Sequence, residues 1–387
     1  MDDVIVSIDI GSNKVCAMIG RIGLDNKLEI LGKGTSVNSG VKKGSIKDID
    51  ATARSIREAV QKAEFMSGLK VKSAYANITG MNVTIVNNKG KIAISSDNRE
   101  ITSEDVERLL FSVKNISLPE NSQIIDIIPI QYIVDGSDEI VDPVGMSGVT
   151  LEVEACVVGG KIVSVQNIIK SIERAGLTVD GIIIESLAAA EVCFSKEERE
   201  SRNIIIDVGG GITDISVFDG KRLIFYDSIP VGGDYITNDI SMGMKISYQE
   251  AEKIKREYEL ALSSLIENDH DLVITDINSG KTRSVKISQI VEIIEARVNE
   301  IFMLSKEMIE NSGIDLGDIS EVILAGRGIS YMDGVTKIAG EIFNVPVRIA
   351  SYRQHGNFEP EYAVAAGMIM YVSGIHKSST VVGTNNK

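Results

Sequence analysis

Apolar residues in this chain come in short dense runs, and their period changes in a regular order. Residues 4–10 form an apolar run that carries Asp9 near its end and enters Gly11-Ser12-Asn13-Lys14, after which residues 15–22 return as a second run. Residues 203–208 repeat the design. They carry Asp207 near their end and enter Gly209-Gly210-Gly211, then Ile212-Thr213-Asp214, with 215–218 as the return. β-branched residues at this density, bounded by Gly-rich turns, predict strands. Each copy is therefore strand, Asp, tight turn, strand. Two such hairpins in one chain predict two related half-molecules facing one ligand.

A third β-run at 28–37 follows the first hairpin. Ile49, Ala53, Ile56 and Val60 then recur at helical spacing behind Asp48, a helix-capping residue, up to Phe65, and 71–78 returns to strand. The stretch 83–163 breaks this rhythm. It predicts strands at 83–86 and 91–95, a helix starting with Ser103 as its cap and acids in its first turn, and strands at 124–134 and 149–158. This is a small α+β insert. A helix over 161–175 closed by Gly176, a strand at 179–185 and a helix from 187 to 193 complete the first half. The charged, exposed run 196–202 is the expected hinge.

The second half predicts a strand at 222–229 and helices at 235–242, 247–257 and 288–311, with a β-hairpin at 272–285 around Asn278-Ser279-Gly280. A buried strand at 321–324 leads into Ala325-Gly326-Arg327-Gly328, followed by a helix at 332–343 and a strand at 347–350. The last helix, 361–372, carries Ala363, Ala365, Ala366 and Gly367 for close packing. Beyond Gly374 the sequence has the composition of a linker. The fold class is α/β, two lobes of duplicated β-β-β-α-β-α units with one inserted α+β subdomain.

Composition narrows the function classes. The 387 residues exceed what one compact core usually holds, and 43% hydrophobic with 25% charged residues describes a folded chain. With no Trp and only 5% aromatics the core must be aliphatic. A net charge of −15 excludes a backbone-reading nucleic-acid binder. Cys16, Cys156 and Cys193 are scattered and odd in number, which fits a reducing compartment and small core residues. No signal peptide precedes the first strand, and no apolar run approaches the ~18 residues of a membrane span. The expected location is the cytoplasm.

The chemistry in the turns is that of phosphate. Backbone N–H donors can approach a triphosphate only where small residues allow it, and Gly11-Ser12-Asn13 and Gly209-Gly210-Gly211 supply two such places. Asp9 and Asp207 repel phosphate, so they require a cation between. Mg²⁺ keeps several of its waters and takes few protein oxygens, and two strand-end carboxylates suit its hydrated shell. Lys14 adds positive charge near the outer phosphates, Thr213 offers a hydroxyl, and Asp214 either braces the second turn or orients water. Glu252 and Lys255, three apart on one helix face, can grip ribose hydroxyls or an adenine edge, or form a solvated ion pair. Gly326-Arg327-Gly328 lies at a strand's C-terminal end, where α/β folds bind ligands. The chain has no P-loop, Rossmann or G-x-S-x-G motif. Its three histidines, His270, His355 and His376, are too scattered for zinc. The sequon Asn77-Ile78-Thr79 carries no meaning in a cytoplasmic chain.

The paired turns resemble the phosphate loops of the actin, Hsp70 and sugar-kinase superfamily. Within it the chain resembles the FtsA family of bacterial cell-division proteins, from the first strand to about residue 372. The most specific stretches are Ile128-Pro129-Ile130-Gln131-Tyr132, Val134-Asp135-Gly136 and Asp142-Pro143-Val144-Gly145-Met146-Ser147-Gly148 with Leu151-Glu152. They are similar to that family's subdomain 1C. Val41-Lys42-Lys43-Gly44-Ser45-Ile46 and Ile229-Pro230-Val231-Gly232-Gly233-Asp234 match as well.

The resemblance implies an ATP- and Mg²⁺-binding protein that polymerises. It also implies binding to the C-terminal tail of the tubulin-like protein FtsZ through subdomain 2B, contact with later division proteins, and attachment to the cytoplasmic membrane face through a C-terminal amphipathic helix. ATP hydrolysis is expected to be slow or absent. Subdomain 1A then spans 1–81, 164–198 and 357–375, 1C spans 82–163, 2A spans 199–237 and 312–356, and 2B spans 238–311, with a tail at 376–387. Asp9, Gly11, Ser12, Asn13 and Lys14 correspond to the first phosphate loop. Asp207, Gly209, Gly210, Gly211 and Thr213 correspond to the second. Gly232 and Gly233 border the nucleotide, Glu252 and Lys255 reach the ribose, and Gly326 and Gly328 flank adenine. Glu185 takes the position that orients attacking water, although Ser186 follows it where relatives often have Pro. Arg327 interrupts a run of glycines usual in the family, and either stacks on adenine or crowds the pocket. Arg283 and Arg297 are the cations for an acidic tail, or ordinary surface arginines. The amphipathic helix is not among the 387 residues, and the chain is expected to be cut short of it. A pilus adaptor of the PilM type is a close cousin that the 142–146 stretch fits poorly. A small-molecule kinase would need a catalytic base in the insert, and a chaperone ATPase would need a C-terminal β-domain.

Overall fold

The computed structural model describes residues 4–23, 25, 27–96, 98–352 and 358–377. Its first sheet starts with β1 (Ile5–Ile10), β2 (Lys14–Ile22) and β3 (Leu28–Val37), antiparallel in chain order. A ribbon of β4 (Val41–Lys42) and β5 (Ser45–Ile46) leads to α1 (Ile49–Ser67), and β6 (Ser73–Ile78) docks parallel to β1. Asp48 caps α1 as expected: its carboxylate accepts the Ala51 N–H at 2.9 Å, satisfying one of the amides a helix start leaves open.

The insert comprises β7 (Val83–Ala93), α2 (Ser103–Ser112), β8 (Ser122–Val134), β9 (Ser137–Ile140) and β10 (Thr150–Lys161). Its sheet runs β7-β10-β8-β9 over a core of its own that includes Leu109, Leu151 and Val153. Two expectations need correction. The strands expected at 83–86 and 91–95 are one strand, because Asn87, Asn88, Lys89 and Gly90 all stay paired with β10, and ladder bonds use the backbone whatever the side chain. The cap of α2 is Thr102, one residue before Ser103; its hydroxyl and the Asp105 carboxylate satisfy each other's backbone amides.

Next come α3 (Ile162–Arg174), β11 (Thr178–Ile184) and α4 (Glu185–Cys193). Glu185, expected at a strand end, is the first residue of α4. The run 196–202 is less exposed than its charge suggested: Glu198, Arg199 and Arg202 are half-buried, with Arg199 paired to Glu191 at 2.9 Å and Glu198 to Arg348 at 2.8 Å.

The second sheet is built from β12 (Arg202–Val208), β13 (Thr213–Asp219) and β14 (Arg222–Ile229), again antiparallel. Then follow α5 (Gly233–Met244), α6 (Tyr248–Tyr258), the hairpin β15 (Asp271–Thr275) and β16 (Thr282–Lys286), and α7 (Ile287–Asn311). β17 (Glu321–Ala325) lies parallel to β12, and α8 (Val335–Phe343) precedes β18 (Val347–Ile349). α8 starts later than its pattern implied because Gly334, at φ 94°, sets the helix entry in a left-handed conformation. The final helix, α9 (Ala363–Lys377), runs through Gly374 and past the expected end at 372. One exposed glycine costs a helix only about 1 kcal/mol. The linker-like sequence from 378 onward lies outside the described residues.

Read outward, the first sheet is β3-β2-β1-β6-β11 and the second β14-β13-β12-β17-β18. The order and the parallel or antiparallel sense match, so the duplication expected from the two hairpins extends through both lobes. Alternation along each strand divides the core. Ile8, Ala17 and Ile19 face α1 and α3. Cys16 and Met18 face α4 and α9, in a core that continues to Ile205 and Phe218 of the second sheet. Thus α4 and α9 fill the space between the sheets and fix how the two hairpins meet.

Their contact depends on one glycine. A Cβ on Gly367 would lie 1.9 Å from the Ala188 carbonyl oxygen, so the backbones of α4 and α9 would have to separate. Gly367→Ala is expected to cost about 1–3 kcal/mol, the usual range for overpacking. Gly374→Ala on the same helix, with nothing within 4 Å, is expected to be neutral or slightly stabilising. Urea denaturation measures both, and equal midpoints for the two variants would contradict this packing.

Candidate functional site

Each hairpin closes through the same bond. The Gly11 N–H donates to the Lys14 carbonyl at 3.0 Å, and the Gly209 N–H donates to the Ile212 carbonyl at 2.9 Å. The strand ladders end at Ile10↔Val15 and Val208↔Thr213, so the residues between stand outside them. The turns lie side by side. Asn13 Nδ2 donates to Asp234 Oδ1 at 2.8 Å across the cleft. A Cβ on Gly210 would sit 2.3 Å from Asn13 Nδ2, and one on Gly211 would sit 2.9 Å from Ser12 Oγ. Behind the second turn, Gly233 N–H donates to the Gly209 carbonyl at 2.9 Å and Gly328 N–H to the Val208 carbonyl at 2.7 Å. Gly232, Gly233, Gly326 and Gly328 therefore converge on the second turn.

Beneath the turns lie carboxylates from both lobes. Asp9 and Asp207 are each the last residue but one of β1 and β12, Asp214 stands opposite Asp207 in the ladder, and Glu185 opens α4. Asn77, at the end of β6, holds two of them: its Nδ2 donates to Asp9 Oδ1 at 3.0 Å and to Glu185 Oε2 at 2.9 Å. The Asp214 carboxylate accepts the Gly80 N–H of the first lobe at 3.0 Å and the Ser228 hydroxyl, so it braces the junction of the lobes.

Burial without enough positive charge raises the proton affinity of all four. Burial pushes Asp9 up to about 6, against the pull of Lys14 and the Asn77 hydrogen bond. Burial, then the charges of Asp214 and Asp9, push Asp207 up to about 7, and Lys14 again opposes. Burial takes Asp214 to about 6 despite its hydrogen bonds. Glu185 moves well above the ordinary carboxylate range, through burial first and then the charges of Asp214, Asp9 and Asp207. Such a cluster suits a cation. No group of three or more His, Cys, Asp or Glu side chains among the described residues is arranged to hold a metal directly. His355 lies outside the described residues.

Other expected site residues face elsewhere. Thr213 is buried and its hydroxyl donates to the Val231 carbonyl at 2.8 Å. The Lys255 ammonium is buried and meets Gly233 O at 2.9 Å, Thr237 Oγ1 at 2.6 Å and Glu252 Oε2 at 2.6 Å. It fixes the start of α5 against α6, and burial, only partly offset by Glu252, lowers its pKa. The Arg327 guanidinium pairs with Glu361. Arg297 is balanced by Asp239 at 2.6 Å and by Glu300, while exposed Arg283 gives one N–H to the Met244 carbonyl at 2.8 Å. Three residues escaped the sequence reading. Asn77 was set aside as an idle sequon, yet its place at a strand's C-terminal end was a usable signal. Asp234 stands in the matched stretch 229–234 without a role of its own there, and Glu361 gives no local signal. All three cysteines are buried and free, as expected, and burial raises the Cys16 thiol to about 12.

The raised carboxylates give a sign for pH dependence. Their folded values exceed those of an unfolded chain, so the folded protein holds extra protons between about pH 4 and pH 7. That stability is complete below about pH 4 and is lost as pH rises through 6 to 7. Without nucleotide or cation, urea denaturation is expected to give lower stability at pH 7.5 than at pH 5.5, by on the order of 1 kcal/mol or more. Asp207→Asn is expected to flatten this slope, and stability that rises over the same interval would contradict the cluster.

A family model described as "Cell division protein FtsA" matches residues 204–367, and one described as "SHS2 domain inserted in FTSA" matches residues 80–159. The cell division protein FtsA of Bacillus subtilis is 36% identical over 370 residues, covering 96% of this chain and 83% of its own length. Among solved structures, one from the PilM-PilN type IV pilus biogenesis complex has a TM-score of 0.67 at 15% identity, covering 95% of this chain and 98% of that one. MreB5 of Spiroplasma citri bound to ADP has a TM-score of 0.58 at 17% identity, covering 97% and 98%. These two share the fold, which is that of the actin-like ATPases. Matched by sequence along nearly its whole length and by the hallmark insert, the chain belongs to the FtsA family of bacterial cell-division proteins.

Proposed function

We propose that the chain is an ATP-binding, polymerising adaptor that links FtsZ filaments to the cytoplasmic face of the membrane at the division site. The observation that carries the nucleotide reading is the pair of glycine turns lying together above the Asp9, Asp207, Asp214 and Glu185 carboxylates. In this reading the turn residues Gly11, Ser12, Asn13, Gly209, Gly210 and Gly211 hold the phosphates, and Asp9 and Asp207 hold Mg²⁺ through its water. The cation supplies the positive charge that lets triphosphate and carboxylates share one cleft. The ADP of the fold relative MreB5 supports a nucleotide here.

Slow hydrolysis is consistent with the setting of Glu185. Burial, then the charges of Asp214, Asp9 and Asp207, raise its proton affinity, and a carboxyl in its protonated form cannot act as the base for attacking water. A slow clock suits a protein that uses nucleotide to set its assembly state. The FtsZ tail is assigned to residues 238–311, with Arg283 as its cation in place of the internally balanced Arg297. Among the described residues no helix is long and apolar enough to cross a membrane, which suits peripheral attachment. The pilus-adaptor alternative rests on shared fold alone.

Pelleting with ATP and Mg²⁺, with and without the FtsZ tail peptide, tests the adaptor. Nucleotide-dependent sedimentation and peptide retention are expected, and failure of both would count against it. Asp207→Ala is expected to weaken Mg²⁺-dependent ATP binding about 10–100-fold, the range seen when a group supporting a metal is removed. Unchanged ATP affinity in that variant would refute the site.

A further inference from the structure

Lys14 closes the first turn, yet its ammonium is shared. It donates to the Glu361 carbonyl oxygen at 3.2 Å and lies 3.6 Å from Glu361 Oε2. The same Oε2 pairs with Arg327 Nη1. Glu361 belongs to the first lobe, in the short turn of helix before α9, and Arg327 belongs to the loop after β17 in the second. One carboxylate oxygen thus connects the first phosphate-facing turn to the opposite lobe. Lys14, Glu361 and Arg327 side chains are 30%, 27% and 51% exposed, so this group can rearrange without unpacking a core. The backbone of Arg327 is steadied separately: its carbonyl accepts from Arg256 Nη1 at 3.3 Å, and the Arg256 guanidinium lies 4.4 Å from the Tyr331 ring centre.

Lys14 also offsets the charges of Asp9 and Asp207. Three carboxylates therefore compete for one ammonium before any ligand arrives. A triphosphate between the turns would be a stronger competitor, because its charge is larger and its oxygens sit at the turn itself.

We propose that Glu361 withholds Lys14 from an incoming triphosphate and that Arg327 sets how firmly it does so. This inference rests on the nucleotide reading above. When Lys14 turns to phosphate, Glu361 keeps Arg327 as its counter-ion, so release is easy. Without Arg327 the release leaves Glu361 unpaired beside other carboxylates and becomes harder. Without the Glu361 charge, Lys14 loses one of its three carboxylate competitors and turns to phosphate more readily. The Lys14–Glu361 pair and an occupied phosphate site are then alternatives, while the Glu361–Arg327 pair between the lobes persists in both.

Isothermal titration calorimetry with ATP and Mg²⁺ on the full chain tests this. Glu361→Gln is expected to tighten binding about fivefold, and Arg327→Ala to weaken it about fivefold, the scale of one partly exposed ion pair. The double variant is expected to match Glu361→Gln, and Arg327→Lys to match the unaltered protein. An Arg327→Ala loss that persists alongside Glu361→Gln would mean that Arg327 touches the nucleotide directly, which overturns the proposal. Equal affinity in all forms overturns it too, while leaving the nucleotide reading intact. Absence of ATP binding in every form, the unaltered protein included, overturns the nucleotide reading and this inference with it.

Discussion

Four closely set carboxylates, Asp9 and Asp214 buried and Asp207 and Glu185 half-buried, with too little positive charge around them, are the constraint on which the rest of this structure turns. Burying one ionised carboxylate is costly, and burying several together is more so. The fold nevertheless brings Asp9, Asp207, Asp214 and Glu185 within electrostatic reach of one another and gives them Lys14 as the main cation. A protein selected for stability alone would place an apolar residue at some of these positions. Their presence makes sense as a device for a cation, and the glycine turns directly above them make sense as a device for the anion that such a cation accompanies. Fold, metal and phosphate are arguments about one patch of charge.

The duplicated sheets explain how the patch is assembled. Each lobe carries an Asp one residue before the end of a central strand and folds back through a turn closed by a single backbone bond. The helices between the sheets, α4 and α9, then set the distance between the two copies. The copies are not equal. Opposite Asp9 in its ladder stands Cys16, and opposite Asp207 stands Asp214. The second hairpin therefore carries two carboxylates where the first carries one, and Asp214 reaches across to the Gly80 amide of the first lobe. Symmetry builds the cleft, and this departure from symmetry ties it shut at its base.

Much of the architecture was legible because the strands are aliphatic and their turns are glycine-rich. The hairpins, the bounds of β3 and β14, the cap of α1 and the β15–β16 hairpin all follow from local pattern and are found in place. The errors share a cause. Polar residues within β7 resembled a break because a ladder can carry any side chain, and the charged run 196–202 resembled solvent-facing chain because its partners Glu191 and Arg348 lie elsewhere in the sequence. The site divides in the same way. The glycine turns and the aspartates before them, singled out by spacing, are brought together in the fold. Thr213 and Lys255 were expected at the ligand, and their partners, Val231, Gly233 and Thr237, are known only once the chain is folded.

That division also separates two kinds of residue at one site. Lys255 and Thr213 hold backbone carbonyls of the segment 231–233, which in turn packs on the second turn. They shape the cleft from behind through buried bonds to the backbone. Lys14, Glu361 and Arg327 are different: each is partly exposed, and Lys14 and Glu361 each have more than one candidate partner. Groups with buried, satisfied bonds cannot respond to a ligand without breaking the fold. Groups with competing, half-exposed partners can respond by exchanging them. The groups of this cleft free to exchange partners are therefore its half-exposed ion pairs, Lys14–Glu361 and Glu361–Arg327, whereas Asp214 and Lys255 are held by buried bonds.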